Sequence, residues 1–260
     1  MSARLRLKGR LDAGRAAGGL FVSIPAPEIV EIAAVAGFDF VLVDLEHTLI
    51  DGAALERMLA ACDRAGVSAL VRVPGAGSER ILQSLDAGAA GIVVPRVASP
   101  AEAVEAVRRA RHAPRGIRGL NAGRLGRYGD CDLAGLPARL DAETLVIAMI
   151  EDEAGLAAVA DIAATAGLDG LLFGAADYSQ AIGLPWQTGA PAVQAAGSAV
   201  TRACRAAGIH AFAIARSEAD LPRLRDEGVG GLLVANDRGL LRRALSEADR
   251  AWRTLPGDLR

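Results

Sequence analysis

Short apolar runs alternate with longer amphipathic stretches along most of the chain. The short runs are rich in Val, Ile, Leu and Phe, which is typical of buried strands, and the longer ones are rich in Ala and Arg, which is typical of surface helices. The pattern predicts eight strands, at Leu20–Ile24, Phe38–Asp44, Ser68–Val73, Gly91–Pro95, Leu145–Glu151, Gly170–Gly174, Ile209–Ile214 and Gly230–Val234. It also predicts eight helices, at Pro27–Ala36, Gly52–Ala65, Ser78–Ala87, Pro100–His112, Glu153–Ala166, Pro191–Ala207, Ser217–Glu227 and Arg238–Trp252.

Similar glycine-bearing junctions link six of these helices to the next strand. They read AGFDF, AGVSA, AGAAG, AGLDG, AGIHA and EGVGG, with a glycine where each helix ends in a left-handed conformation. Eight such units in series predict a (β/α)8 TIM barrel over residues 1–260, with residues 1–18 as an N-terminal extension. A doubly wound sheet is the rival, but it usually has fewer strands and a glycine-rich loop after the first, where this chain reads Pro-Ala-Pro.

One long segment, residues 113–143, interrupts this rhythm. It contains six Gly and five Arg, and a connection of this length is uncommon in a compact domain unless it has a function. It is either a surface excursion with a short helix or a flap that carries Arg118 and Arg124 toward an anionic ligand. We assign it as a long loop on the active-site side.

Composition and charge exclude several classes of protein. The net charge of the 260 residues is −2, which argues against a nucleic-acid partner. The three cysteines form no CxxC pair, so a disulfide scaffold or structural zinc site is not expected, and a reducing cytoplasm fits. No leader is expected, and no apolar run approaches the roughly 20 residues of a membrane span. Lysine occurs once, as Lys8, so no barrel strand offers a Schiff-base lysine.

Ionisable residues occur where the predicted strands end, which is the edge at which TIM barrels bind their substrates. Of the three histidines only His47 lies at this edge, and Asp44 lies three positions before it. A carboxylate near a histidine raises its basicity, which suits a general base. From the second to the sixth strand, these residues are Asp44 and His47, Arg72, Arg96, Glu151 and Asp177.

Glu151 and Asp177 come from neighbouring strands, with no cysteine and no second histidine at that edge. Carboxylates alone make a hard oxygen site, which favours Mg²⁺ or Mn²⁺ over zinc. The alternative is a metal-free acid/base pair, as in glycoside hydrolysis. Sugar sites usually offer aromatic platforms, and the aromatic content of 3% argues against one here.

The chain contains, in this order, the segments AGFDFVLVDLEHTLID, LVRVPG, DAGAAGIVVPRVASPAEA, IAMIEDEAGL and GLDGLLFGAADYSQAIGLP. Together they resemble the HpcH/HpaI aldolase family, the metal-dependent class II pyruvate aldolases. The resemblance runs from about residue 20 to 235 and implies a barrel of the phosphoenolpyruvate/pyruvate-binding type. It also implies exchange of the last helix, roughly Arg238–Trp252, between subunits of a hexamer built as a dimer of trimers.

The same resemblance implies roles for individual residues. Glu151 and Asp177 would bind a divalent metal, Mg²⁺ or Mn²⁺ with Co²⁺ as a further candidate, and the 2-oxo acid substrate would chelate it. The roles of the remaining site residues divide between substrate binding and proton transfer. The backbone N–H groups of Ala176 and Asp177 would hold the substrate carboxylate, Arg72 would stabilise the enolate oxygen, and His47, oriented by Asp44, would take the proton of the 4-hydroxyl group.

Two positions depart from the usual aldolase pattern. Met149 stands where aldolases commonly have Gln, and Arg96 stands where many have Met. With the arginine-rich segment 113–143, these departures suggest a more anionic substrate and resemble the citrate synthases of siderophore biosynthesis. Three functions therefore stay open: reversible cleavage of a 4-hydroxy-2-oxo acid to pyruvate and an aldehyde, condensation of oxaloacetate with acetyl-CoA, and a non-catalytic barrel.

Overall fold

In a computed structural model that describes residues 3–254, eight parallel strands close into a barrel in chain order. The eighth strand pairs with the first, so the sheet has no open edge. The predicted TIM barrel is therefore confirmed. The strands are β1 Ala17–Val22, β2 Phe40–Asp44, β3 Ser68–Arg72, β4 Gly91–Val94, β5 Leu145–Ile150, β6 Gly170–Phe173, β7 His210–Ile214 and β8 Gly231–Asn236.

Helices surround this barrel, and each predicted helix has a counterpart. The predicted helix after β5 is two short helices that meet at Ala158. Three further α-helices lie outside the eight predicted ranges: one before β1, one before β5, within the segment for which a short helix was one interpretation, and one after β6. The helices are α1 Ala3–Asp12, α2 Pro27–Val35, α3 Gly52–Ala65, α4 Arg80–Asp86, α5 Pro100–Ala110, α6 Leu136–Glu143, α7 Glu153–Ala157, α8 Val159–Ala163, α9 Ala175–Ala181, α10 Pro191–Ala207, α11 Asp220–Asp226 and α12 Asp237–Arg253, with a 3-10 helix at Arg124–Gly129.

Local sequence explains how α3 begins and ends. The side chain of Asp51 accepts a hydrogen bond from the backbone N–H of Ala54, which satisfies a free donor of the first turn. Gly66 ends the helix with φ +73°, a conformation that a side chain would disfavour. The helix is thereby fixed between β2 and β3, the two strands that carry the first site residues.

The predicted N-terminal extension, residues 1–18, is part of the barrel. Within the described residues it forms α1 and the start of β1, which begins three residues before the predicted strand. Leu7 and Leu11 of α1 are buried in the cluster that fills the barrel interior, next to Phe40 and Leu145. The helix therefore closes the amino end of the barrel with apolar side chains.

Residues 113–143 lie at this amino end, opposite the edge where the strands finish. Arg118 donates a hydrogen bond of 2.8 Å to Asp86, the last residue of α4, and Arg124 contacts Asp63 near the end of α3. The prediction of an active-site-side loop is therefore wrong for this chain's own site. The reason is topological, because a segment that joins the end of a helix to the start of a strand begins and ends at the amino face.

The last helix, α12, covers little of the barrel. Asp237 is its one buried residue, and its main contacts are with β1 and β8. Leu245 is 62% exposed, and Leu240, Leu241 and Trp252 are exposed as well. In the described part of the chain, no helix is both long and apolar enough to span a membrane.

Candidate active site

The strand ends bring the candidate residues to one edge of the barrel. Asp44 ends β2 and Arg72 ends β3, and the two residues are paired in the register of these strands. Glu151 directly follows β5, and Asp177 lies in the first turn of α9, the helix that follows β6. Together with His47, they surround one end of the barrel interior.

Arg72 is fixed by two carboxylates and an aromatic ring. Its Nε donates to Asp44 Oδ1 at 2.9 Å, and its Nη1 lies 3.1 Å from Glu46 Oε2. The guanidinium also lies over the Phe21 ring, with its Cζ 4.9 Å from the ring centroid. Arg72 is buried together with Asp44, so it has a single orientation and its charge is little screened.

Glu46 is a site residue that the sequence analysis did not select. Its side chain is 9% exposed and lies near three basic side chains, because Oε1 lies 3.5 Å from Arg96 Nε and Oε2 lies 3.7 Å from His47 Nε2 as well as near Arg72. The available signal was its place between Asp44 and His47 in the Asp-Leu-Glu-His run.

The contacts of His47 differ from those expected. Asp44 Oδ1 accepts hydrogen bonds from the backbone N–H groups of Glu46 and His47, at 3.0 and 3.5 Å, and from Arg72. Asp44 thus contacts the backbone of His47, and Glu46 is the acidic neighbour of its ring. The His47 side chain is 64% exposed, so its ring is open to the cleft.

Glu151 lies at the bottom of the site and is 5% exposed. Its Oε1 accepts the backbone N–H of Arg96 at 2.7 Å, and Arg96 has φ +54°, which is uncommon for a residue with a side chain. A Cβ on Gly174 would lie 2.7 Å from Glu151 Oε2 and 2.7 Å from Met149 Cε. A glycine is therefore required where the chain passes Glu151.

Burial raises the pKa of Glu151 from 4.5 to about 7. The Arg96 N–H and the Arg72 guanidinium act in the opposite direction, while the carboxylates of Asp177 and Glu46 raise the pKa further. Several negative groups therefore converge on a poorly hydrated carboxylate. A bound cation would relieve this repulsion, because it favours the charged form of each carboxylate.

Asp177 and Ala176 complete the site from the next strand of the barrel. Both lie in the first turn of α9, where backbone N–H groups have no partner within the helix. The Asp177 carboxylate is exposed to the cleft and is close enough to Glu151 to affect its pKa. The two carboxylates predicted as metal ligands are thus brought together.

These residues fit a divalent ion that keeps open positions. Among residues 3–254, no group of three or more His, Cys, Asp and Glu side chains is arranged to hold a metal. Two carboxylates would leave most positions of a Mg²⁺ or Mn²⁺ ion to water and substrate, as is usual for such ions. Glu151 has one oxygen on the Arg96 N–H, and no described residue donates a hydrogen bond to the other.

A cleft of about 1560 Å³ opens above these groups. It continues from the site down the flank of β8 and β1, which α12 leaves uncovered. Besides Asp44, His47, Arg72 and Asp177, its lining includes Trp186 and Arg216.

Comparison with known proteins identifies relatives over almost the whole chain. Residues 18–244 match the family described as HpcH/HpaI aldolase/citrate lyase. A hydroxypyruvate/pyruvate aldolase of Pseudomonas aeruginosa is 34% identical over 242 residues, which cover 93% of this chain and 90% of that protein.

Two solved structures are similar along their full length. The structure of the citrate synthase SbnG is 35% identical with a TM-score of 0.88, covering 96% of this chain and 98% of that one. An HpcH/HpaI aldolase from Desulfitobacterium hafniense DCB-2 is 29% identical with a TM-score of 0.92, covering 97% and 98%.

Proposed function

The chain belongs to the HpcH/HpaI aldolase/citrate lyase family, as its motifs indicated, and from that premise we propose that it reversibly cleaves a 4-hydroxy-2-oxo acid to pyruvate and an aldehyde. That it is an aldolase-type lyase follows from the family and its aldolase relatives. The observation that supports the specific reaction is the buried Arg72, fixed by Asp44 and Glu46 beside the Glu151 and Asp177 carboxylates.

Glu151 and Asp177 would hold a divalent ion, Mg²⁺ or Mn²⁺ with Co²⁺ as a further candidate. When bound, such an ion supplies Lewis-acid stabilisation of the enolate of the 2-oxo acid. The chain offers no alternative electron sink of the imine type, because its one lysine, Lys8, forms an ion pair of 3.1 Å with Asp169 at the amino end of β6. The backbone N–H of Arg96 donates a hydrogen bond to Glu151 Oε1 and so orients this carboxylate.

Arg72 would bind the C2 oxygen of the substrate. Negative charge develops on this oxygen when the C3–C4 bond breaks, and a guanidinium already fixed in place needs no reorganisation to stabilise it. The free N–H groups of Ala176 and Asp177 would hold the substrate carboxylate, as helix N-termini commonly hold anions. These contacts orient the 2-oxo acid with C4 directed into the cleft.

His47 would take the proton of the 4-hydroxyl group. As the C3–C4 bond breaks, its electron pair passes into the pyruvate enolate and the aldehyde leaves; protonation at C3 then gives pyruvate. Glu46 Oε2, 3.7 Å from His47 Nε2, would stabilise the imidazolium that forms. Because the ring is exposed, a water molecule can relay this proton.

A citrate-synthase activity is the second candidate. It is favoured by the 35% identity to the citrate synthase SbnG and by Met149, buried beside Gly174 where aldolases commonly have Gln. Oxaloacetate and acetyl-CoA would then condense through an enolate in the same site.

A paired assay tests the proposal. One reaction follows pyruvate release from a 4-hydroxy-2-oxo acid with Mg²⁺ or Mn²⁺, and the other follows free CoA from oxaloacetate and acetyl-CoA. We expect metal-dependent pyruvate release. CoA release without pyruvate release would assign the chain to the citrate-forming reaction. The absence of both activities would favour a non-catalytic barrel.

His47→Ala tests the proton acceptor in the same assay. The variant should lose aldol cleavage but still exchange the methyl protons of pyruvate, because enolisation does not involve the 4-hydroxyl group. Loss of both activities would show that His47 helps to build the site instead.

We also propose that α12 packs on a second copy of the chain, in a hexamer that is a dimer of trimers. An amphipathic helix with an exposed apolar face, beside an uncovered flank of the barrel, supports this. Light scattering should give six times the 26.7 kDa mass of one chain. Leu245→Asp should lower this mass and Ser246→Asp should not; a wild-type monomer would contradict the proposal.

A further inference from the structure

Four arginines follow or end strands at the active-site edge. The guanidinium groups of Arg72 and Arg96 contact carboxylates of the site, and Arg238 donates to the Ser23 carbonyl at 3.0 Å. Arg216, which follows β7, differs from these three. Within residues 3–254 its guanidinium has no ion pair and no hydrogen bond, and only its backbone N–H has a partner.

The main chain at Arg216 is well fixed. Asp220 Oδ2 accepts the backbone N–H groups of Arg216 and Ser217, each at 3.0 Å, and the Ser217 hydroxyl at 3.3 Å. The carboxylate therefore holds the turn after β7 while the Arg216 side chain remains available. A cation positioned in this way can bind an anion with little ordering of the chain.

Arg216 lines the same cleft as Arg72, His47 and Asp177. It follows β7, the neighbour of the strand that leads to Asp177, and the Asp177 carboxylate is close enough to interact with it. Desolvation by the surrounding protein lowers the pKa of Arg216, and the Asp177 and Asp220 carboxylates oppose this. An arginine stays charged under these conditions, so the cleft holds a positive charge that no group of residues 3–254 neutralises at contact distance.

Resting on the proposed function, we infer that Arg216 binds a carboxylate on the acceptor part of the substrate and so selects acidic aldehydes over neutral ones. A single planar guanidinium matches a carboxylate through two parallel hydrogen bonds. The carboxylate of pyruvate already has the α9 N–H groups in the proposed site. Arg216 is therefore available for a second carboxylate, one on the aldehyde part of the substrate, beyond the C3–C4 bond.

Matched acceptors test this inference in the condensation direction with pyruvate. Glyoxylate and glycolaldehyde form one pair, and succinate semialdehyde and butanal form a second. Arg216→Gln should lower kcat/KM for an acidic acceptor by about 10- to 100-fold, the range of a lost hydrogen bond to a charged group, and should act mainly through KM. The neutral acceptors should be unaffected, and Arg216→Lys should restore part of the preference.

Two controls separate selectivity from general damage. Arg202→Gln removes the same charge from an exposed position on α10 and should change nothing. Exchange of pyruvate methyl protons should be normal in Arg216→Gln. Equal losses with acidic and neutral acceptors, or no loss with either acid, would overturn the inference. Wild-type protein that fails to exchange pyruvate protons would instead contradict the proposed function.

Discussion

Replacing Glu151 by Gln should stabilise the metal-free protein at neutral and alkaline pH. The substitution keeps the shape of the side chain and leaves an oxygen to accept the Arg96 N–H, which is 2.7 Å from Glu151 Oε1. It removes a charge that is buried among other carboxylates. The usual loss of stability on mutating a buried residue is therefore reversed, because in the metal-free protein burial and the neighbouring carboxylates outweigh the Arg72 guanidinium and the Arg96 N–H.

The magnitude follows from the pKa of Glu151, which burial raises from 4.5 to about 7. The folded state binds the proton more tightly than the unfolded state, so this stabilising contribution is complete below about pH 4.5 and is lost as pH rises through about 7. At about 1.4 kcal/mol per pKa unit, ionisation of Glu151 lowers the free energy of unfolding by about 3 kcal/mol at pH values above about 7. Gln resembles the protonated form and avoids this cost.

The assay is urea unfolding of wild type and Glu151→Gln in EDTA, at about pH 5 and about pH 8. The difference in unfolding free energy should grow by about 2 to 3 kcal/mol in favour of the variant between these conditions. Glu153→Gln, an exposed carboxylate in the first turn of α7, is the control and should show no such trend. Added Mg²⁺ or Mn²⁺ should stabilise the wild type and not Glu151→Gln.

An equal difference at both pH values would refute the reasoning, because it would mean that Glu151 titrates normally in the folded protein. A variant that is less stable than wild type at alkaline pH, without metal, would show that the carboxylate has a compensating cation that the structure does not contain.

Three further substitutions test separate parts of the structure. Asp44→Asn removes the carboxylate that fixes Arg72 and should lower kcat by about 100-fold with the fold intact, as steady-state kinetics and circular dichroism would show. Gly174→Ala places a Cβ 2.7 Å from Glu151 Oε2 and should weaken metal binding by about 10- to 100-fold in a calorimetric titration. Leu7→Ala should cost about 2 to 5 kcal/mol in urea unfolding, because it leaves a cavity at the amino end of the barrel. A normal kcat, normal metal affinity or normal stability, respectively, would contradict these assignments.

The barrel could be predicted from sequence because each βα unit carries its own signals. Apolar strand runs and amphipathic helices recur eight times and glycine junctions six times, and consecutive parallel units in one sheet have few ways to close. The N-terminal helix α1 was missed because Arg and Lys alternate with its leucines, so its apolar face is weak. Only the closed barrel shows that Leu7 and Leu11 pack against the apolar side chains of its interior.

The site was less predictable than the fold. Strand ends indicated Asp44, Arg72, Glu151 and Asp177, because residues at those positions share one face of the barrel. Which carboxylate contacts which cation depends on side-chain packing, and no spacing rule could show that Asp44 holds Arg72 while Glu46 approaches His47.

Arginine content was a poor guide to location. The arginines of residues 113–143 suggested an anion-binding flap, yet Arg118 and Arg124 form ion pairs with α3 and α4 at the amino face. Arg216 drew no attention in the sequence, because a single arginine after a strand is common and only the absence of a partner within the described structure distinguishes it.

Exchange of pyruvate methyl protons with solvent tests the central claim most directly. The claim is that Glu151 and Asp177 hold a divalent ion that enolisation requires, and exchange in deuterated water, followed by proton NMR, reports enolisation without any aldehyde. The account predicts no exchange in EDTA, exchange after Mg²⁺ or Mn²⁺ is added, and none with metal in Glu151→Gln. Equal exchange in EDTA and in metal would contradict it.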